Sequence, residues 1–206
     1  MAVSLILTTF NWPEALDLVL QSVVKQNLRP AQVIVTDDGS TVSTRLIIER
    51  YTQQLPIELV WQPDSDFRAA RARNLAILRA EYDYIIFVDG DCLLPPDFIQ
   101  SHLRLASRGK LVAGSRALIS KQQTDRLMAS TNRKSIENLF SSQKFSNLPL
   151  GTLRDSRPYS WQTVRSCNFG VHKADIITVK GFDEEYTGWG REDSDFVVRL
   201  IQAGVT

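Results

Sequence analysis

Apolar residues along this chain gather in short, dense runs, and longer stretches of mixed polarity lie between them. Residues 3–8, 32–36, 57–61 and 84–88 are rich in Val, Ile and Leu and are predicted as strands, most of them buried on both faces. Residues 13–26, 44–53 and 69–80 carry apolar positions at helical spacing, and the first of these opens on Pro13, a residue that suits a helix's first turn. A further helix over 96–107 begins with prolines. Strands alternating with helices of this length imply βαβ units and a mostly parallel sheet.

The second half is less regular. Residues 110–115 are predicted as a strand, 121–145 as polar with helical stretches, and the segment up to Trp161 is rich in Ser, Asn, Arg and Pro. A long irregular stretch inside a domain reads as a substrate-facing region rather than a separate unit. Residues 164–171 are apolar again, and a Gly-rich loop over 183–190 precedes a last amphipathic helix with Gly204 as its cap. The chain ends at Thr206, just after that helix, which predicts that downstream structure has been cut away. The fold class expected is α/β, a single domain with a mostly parallel central sheet flanked by helices.

Composition narrows the function classes. With 206 residues, 43% of them hydrophobic, the chain can bury one well-packed core. Its 24 basic and 23 acidic residues leave a formal charge of +1, which argues against a dedicated nucleic-acid binder. Cys92 and Cys167 lie far apart in the sequence and show no metal-type pairing, so neither a disulfide framework nor a zinc site is expected. A reducing, cytoplasmic setting fits that usage. No apolar run approaches the ~18–20 residues of a membrane span, and the first apolar run lacks the basic flank of a signal peptide.

Four polar clusters stand where strands end or the last helix begins: Thr8-Thr9-Phe10-Asn11, Asp37-Asp38-Gly39-Ser40, Asp89-Gly90-Asp91, and Gly188-Trp189-Gly190-Arg191-Glu192-Asp193. Each has a plain structural reading, as helix caps, as turns, or as first-turn acids favoured by the helix dipole. Together they suggest more, because the carboxyl ends of parallel strands converge on one edge, where ligands bind. Asp89 and Asp91 follow a wholly apolar strand. Two hard oxygen ligands there suit Mg²⁺ or Mn²⁺, which in turn holds a diphosphate. The alternative is an acidic turn in which Gly90 supplies the bend. Neither a Gly-x-Gly-x-x-Gly fingerprint nor a Gly-x-x-x-x-Gly-Lys-Ser/Thr loop is present, so phosphates, if bound, are held through a metal rather than a glycine-rich cradle.

In this order the motifs resemble those of a family 2 glycosyltransferase with the A-type fold. The resemblance rests on Thr8-Thr9-Phe10-Asn11, on the run from Val33 to Ser40, on Ala72-Arg73-Asn74, on Asp89-Gly90-Asp91 and on the Trp189–Asp193 block, which is similar to galactosyltransferase-like and chondroitin-polymerase-like members. Ser166-Cys167-Asn168-Phe169 and Gly181-Phe182-Asp183-Glu184 fit the same subgroup. It implies residues 1–115 as a nucleotide-sugar-binding half and 116–206 as the acceptor-binding and catalytic-acid half. The implied donor is a nucleotide-diphosphosugar, a UDP-sugar by preference. The implied acceptor is a saccharide or a lipid-linked saccharide, which would bring the protein to a membrane surface.

By the same resemblance, Thr8, Phe10, Asn11, Asp37 and Asp38 lie near the base and ribose, and one Asp accepts a hydrogen bond from the uracil N–H. Arg73 meets the diphosphate, unless it belongs with Arg68 and Arg71 to a solvated helix face. Asp91 ligates Mn²⁺ or Mg²⁺, with Asp89 on the ribose or a metal-bound water. Asp193 is the base of an inverting transfer, removing the acceptor hydroxyl proton while the metal stabilises the departing diphosphate. Glu192 binds the acceptor or orients the site, and Trp189 packs on a sugar face or is a buried structural residue. His102 reads as structural or solvent-facing, and His172 is a weak site candidate. The acceptor's determinants are expected within 121–161. Rivals are a sugar-1-phosphate nucleotidyltransferase, which lacks its expected loop here, and a non-catalytic nucleotide- or sugar-binding module.

Overall fold

A computed structural model describes residues 1–129, 134–142 and 161–206. Six strands form one sheet in the order β3-β2-β1-β4-β6-β5. Its parallel part comprises β1 (Val3–Thr9), β2 (Gln32–Asp37), β3 (Ile57–Trp61) and β4 (Tyr84–Asp89). Helices α1 (Pro13–Val24), α2 (Val42–Glu49) and α3 (Ala69–Arg79) connect these strands. β6 (Asn168–His172) pairs antiparallel with β4, and the two-residue β5 (Val112–Ala113) lies outside it. The connections place β2 and β3 on one side of β1 and β4 on the other. The strand order therefore reverses between β1 and β4, the point at which open α/β sheets bind ligands.

Alternation along the strands sorts the core into two layers. Leu5, Leu7, Val33, Val35, Ile86 and Val88 face α1, α2 and α4 (Phe98–Leu105). Ile6, Ile34, Ile85 and Phe87 face α3 and α8 (Glu192–Gln202) on the other side. On that second face Phe182 stacks on Phe196 at 4.2 Å between ring centres and meets Phe87 edge-on at 5.6 Å. Burying one such ring contributes about 1.5–3 kcal/mol, so the loop carrying Phe182 is anchored to α8 and to the sheet.

Several boundaries differ from the sequence reading. α4 begins at Phe98 rather than at Pro96, because consecutive prolines precede Asp97 at the cap. The strand expected over 110–115 shrinks to β5, which among the described residues is an edge strand paired with β6 alone. Of residues 164–171, those before Asn168 form the approach to β6 rather than part of it. A short helix, α7 (Lys173–Thr178), follows directly on β6 and was not anticipated. Within 121–161, α5 (Lys121–Ala129) and α6 (Lys134–Ser142) are helical and Trp161 opens a single 3₁₀ turn; residues 130–133 and 143–160 lie outside the described residues. Among the described residues, no helix is long and apolar enough to cross a membrane.

Candidate active site

Register alone brings three of the four clusters together. Thr9 lies opposite Asp37 across β1 and β2, and Thr8 lies opposite Asp89 across β1 and β4. The β1 end is stitched to the β2 turn: the Asn11 amide donates to Ser40 Oγ at 2.8 Å, and the Thr41 amide donates to Asn11 Oδ1 at 3.0 Å. Asn11 reaches this position in the left-handed region, at φ 45°, a conformation that Asn tolerates better than most residues. Thr8 Oγ1 is buried without a hydrogen-bond partner among the described residues, while Phe10 is 44% exposed at the rim.

Asp37 and Asp38 are both buried. Asp37 Oδ1 accepts the Ser40 amide at 2.9 Å, the hydrogen bond that closes the turn. Burial pushes the Asp37 carboxyl above the usual carboxylate range, against the pull of its Ser40 and Gly39 hydrogen bonds. Asp38 accepts the Gln62 side-chain amide on one oxygen and the Arg68 backbone amide, at 2.7 Å, on the other. Gln62 went unnoticed in the sequence, although it stands immediately after β3 and so obeys the same strand-end rule as the other clusters.

Asp89 closes β4 with its side chain 31% exposed, and Asp91 is exposed two residues later. Burial raises the Asp89 carboxyl above its ordinary value; the Arg73 guanidinium opposes that rise and Asp91 adds to it. Gly90 continues the ladder, its amide donating to the Thr8 carbonyl at 2.7 Å. Gly90 stands in the expected turn after β4, where the Cys92 amide donates to the Asp89 carbonyl at 3.0 Å, and a Cβ there would also lie 3.0 Å from both Thr8 O and Thr9 Cβ, a close approach to β1. Two neighbouring carboxylates, one of them exposed, suit a hard divalent cation that completes its shell with phosphate oxygens and water. Among the described residues, no group of three or more His, Cys, Asp or Glu side chains is arranged to enclose one.

The fourth cluster arrives from the opposite end of the chain. Glu192 and Asp193 form the first turn of α8, both buried, behind Arg191 at φ 77°. Asp193 Oδ2 accepts the Ser166 amide at 3.3 Å, and its Oδ1 accepts the Ser194 amide at 2.7 Å. Arg73 is 3% exposed, so it does not belong to a solvated helix face. It donates to Glu192 Oε1 at 2.9 Å and to Ser166 Oγ at 2.9 Å, and lies 3.5 Å from Asp89 Oδ1. Arg71, two residues earlier on the helix, keeps 41% of its side chain accessible, and Arg79 at the helix end is exposed. Trp189 is 89% exposed between two glycines of positive φ, which removes the buried structural reading.

The cysteines, distant in sequence, meet in space. Both are free, and their thiols hydrogen-bond to each other. That bond pushes the Cys92 thiol up and draws the Cys167 thiol down. Cys92 Sγ also approaches Asp91 Oδ1 at 3.4 Å. These groups line one end of a cavity of about 1070 Å³ whose other walls include Leu18 of α1, Leu127 of α5 and Phe140 of α6. His102 is buried on α4 with Nε2 3.0 Å from Asn168 Oδ1. His172 pairs with Tyr84 at the far edge of the sheet, away from every cluster described above.

Known proteins share both sequence and fold with this chain. The profile for glycosyl transferase family 2 matches residues 4–176, and that for the N-terminal domain of galactosyltransferase matches residues 153–206. A hyaluronan synthase from Pasteurella multocida is 31% identical over 98% of this chain and 23% of its own length. A validoxylamine A glucosyltransferase from Streptomyces hygroscopicus subsp. limoneus is 28% identical over 98% of this chain and 48% of its own. The chain thus spans half or less of these relatives. Among solved structures, a mannosyltransferase from Pyrobaculum calidifontis in complex with GDP-Man and Mn²⁺ superposes with a TM-score of 0.69 at 17% identity, covering 98% of this chain and 52% of that one. Staphylococcus aureus TarS in complex with UDP-GlcNAc gives 0.62 at 20% identity, covering 97% and 53%. The architecture is that of the A-type glycosyltransferases.

Proposed function

The chain belongs to glycosyl transferase family 2, and from that premise we propose that it transfers a hexose or N-acetylhexosamine from a nucleotide-diphosphosugar, a UDP-sugar, to a hydroxyl acceptor with inversion. The observation that carries this reading is the convergence of Thr8, Asp37, Asp38 and Asp89 on one sheet edge, with α8 bringing Glu192 and Asp193 to the same place. Thr8, Phe10, Asn11, Asp37 and Asp38 hold the nucleoside. UDP-GlcNAc bound to TarS supports a donor of this class.

Asp91, with Asp89 beside it, would hold Mn²⁺ or Mg²⁺. When bound, the cation supplies charge compensation to the diphosphate. Asp193 receives the acceptor's proton at its carboxylate, an arrangement that requires a hydroxyl within hydrogen-bond reach as it attacks in line. Its two backbone hydrogen bonds fix the direction of that carboxylate. Trp189 offers an exposed ring to a sugar face. The cavity walled by α5 and α6 opens beside Asp91 and is the acceptor's side of the site. A hydroxyl of a saccharide, free or lipid-linked, is the acceptor class.

The test is calorimetry with UDP, with and without Mn²⁺, followed by a panel of nucleotide sugars scored by nucleotide release. Metal-dependent UDP binding is expected, with turnover abolished in Asp193→Asn while UDP affinity is retained. Full turnover by Asp193→Asn would remove that residue as the base. Binding of UDP without turnover of any donor would favour a non-catalytic module.

A further inference from the structure

Both terminal nitrogens of Arg73 are already engaged by other side chains. Its Nη1 donates to Glu192 on α8, and its Nη2 donates to Ser166 before β6 and lies 3.5 Å from Asp89 on β4. The pair is closed off from solvent, its two side chains only 4% and 7% exposed. Resting on the transferase reading above, we propose that Arg73 is a positioning residue: with Glu192 it locks the helix carrying Asp193 onto the donor-side carboxylates.

Four elements that meet nowhere in sequence meet at this guanidinium. Ser166 extends the connection, because its hydroxyl accepts from Arg73 while its amide donates to Asp193 Oδ2. One residue therefore separates the guanidinium from the candidate base. Below, Arg73 sits over the Phe182 ring at 5.5 Å, and Phe182 stacks on Phe196 of α8, so the helix is held by packing and by charge together. Among the described residues, Arg73 Nε and Glu192 Oε2 remain buried without partners, a residual cost that a purely stabilising pair would not carry. A buried ion pair adds little net stability over an apolar pair of the same shape, yet removing one member strands a charge. Such a pair is better suited to fixing a geometry than to strengthening the core.

Assignment as a diphosphate ligand and assignment as a positioning residue predict different kinetics. A ligand's loss appears in donor affinity, and Arg73→Lys, which keeps the charge, preserves much of it. A positioning residue's loss appears in kcat, and lysine, a single point donor, cannot reproduce the fork to Glu192 and Ser166. The experiment uses the full chain with Arg73→Lys, Arg73→Met, Glu192→Met and the double Met variant. UDP affinity in Mn²⁺ is read by calorimetry, kcat and KM by nucleotide release, and Tm by calorimetric melting.

Both Arg73 variants are expected to lower kcat by about 100-fold, the scale of a 1 Å misplacement, with UDP affinity unchanged within about threefold. The double variant should melt above either single Met variant without recovering kcat. A tenfold or greater loss of UDP affinity with kcat intact would overturn the proposal, and so would additive Tm losses in the two Met variants. If the wild-type chain binds no UDP in Mn²⁺, the transferase reading fails by itself, and the Tm cycle still decides whether the two residues act as a pair.

Discussion

Gly39 shows how one position can hold two strand ends in register. It lies at φ 101°, and a Cβ there would stand 2.4 Å from the Asp64 backbone, which cannot rotate away. Gly39→Ala is expected to cost at least about 2 kcal/mol, from strain and displacement of the 62–68 loop, and urea unfolding measures it. UDP binding should weaken as well, because Asp38 accepts from both Gln62 and Arg68 in that loop. At this scale the residue types were legible: a carboxylate after an apolar strand announces itself. Burial was not. Arg73 reads in sequence like its neighbours Arg71 and Arg68, and only the packing of α8 against α3 makes it an interior group.

Between elements, Asn74 ties α3 to the loop before α8. Its side-chain amide donates to the Phe182 carbonyl at 2.8 Å and to Glu184 Oε1 at 2.9 Å, and its Oδ1 accepts the Phe182 amide at 2.9 Å. Asn74→Ala leaves the Phe182 backbone groups unpaired, so a loss of about 1–3 kcal/mol is expected in chemical denaturation. A drop in kcat should accompany it, since the same loop leads into Glu192 and Asp193. The first four strands and three helices were readable because a doubly covered parallel strand is uniformly apolar and a connecting helix is amphipathic. α7 was not, since a helix of six residues carries too little periodicity to show, and the edge strand β5 was read with bounds wider than its two residues.

For the molecule as a whole, His102 makes stability depend on pH. Burial lowers its pKa below the ordinary value of 6.5, although the Asn168 hydrogen bond opposes that. The unfolded chain therefore takes up a proton before the folded one does, and stability falls as pH drops from 6.5 toward the lowered value, by about 1.4 kcal/mol for each unit of the difference. Asp37 and Asp89, whose carboxyls are raised by burial, act in the opposite sense: their ionisation above 3.8 costs the folded state. Melting curves of the wild type should steepen their decline below pH 6.5 and those of His102→Gln should not.

By itself, the order of apolar runs and polar strand ends determined the mostly parallel α/β architecture, the edge at which the candidate site stands, and the acids that end its strands. Those features are local: a strand's burial and the residue after it are written in adjacent positions. Tertiary structure decided the partners. It brought the free Cys92 beside Cys167, placed His172 at the edge opposite the candidate site, left Trp189 in solvent, and turned Arg73 inward onto Glu192, Ser166 and Asp89. The placements of Cys167, His172 and Arg73 depend on β6 running antiparallel beside β4 and on α8 packing over α3, contacts between distant segments that no local pattern encodes.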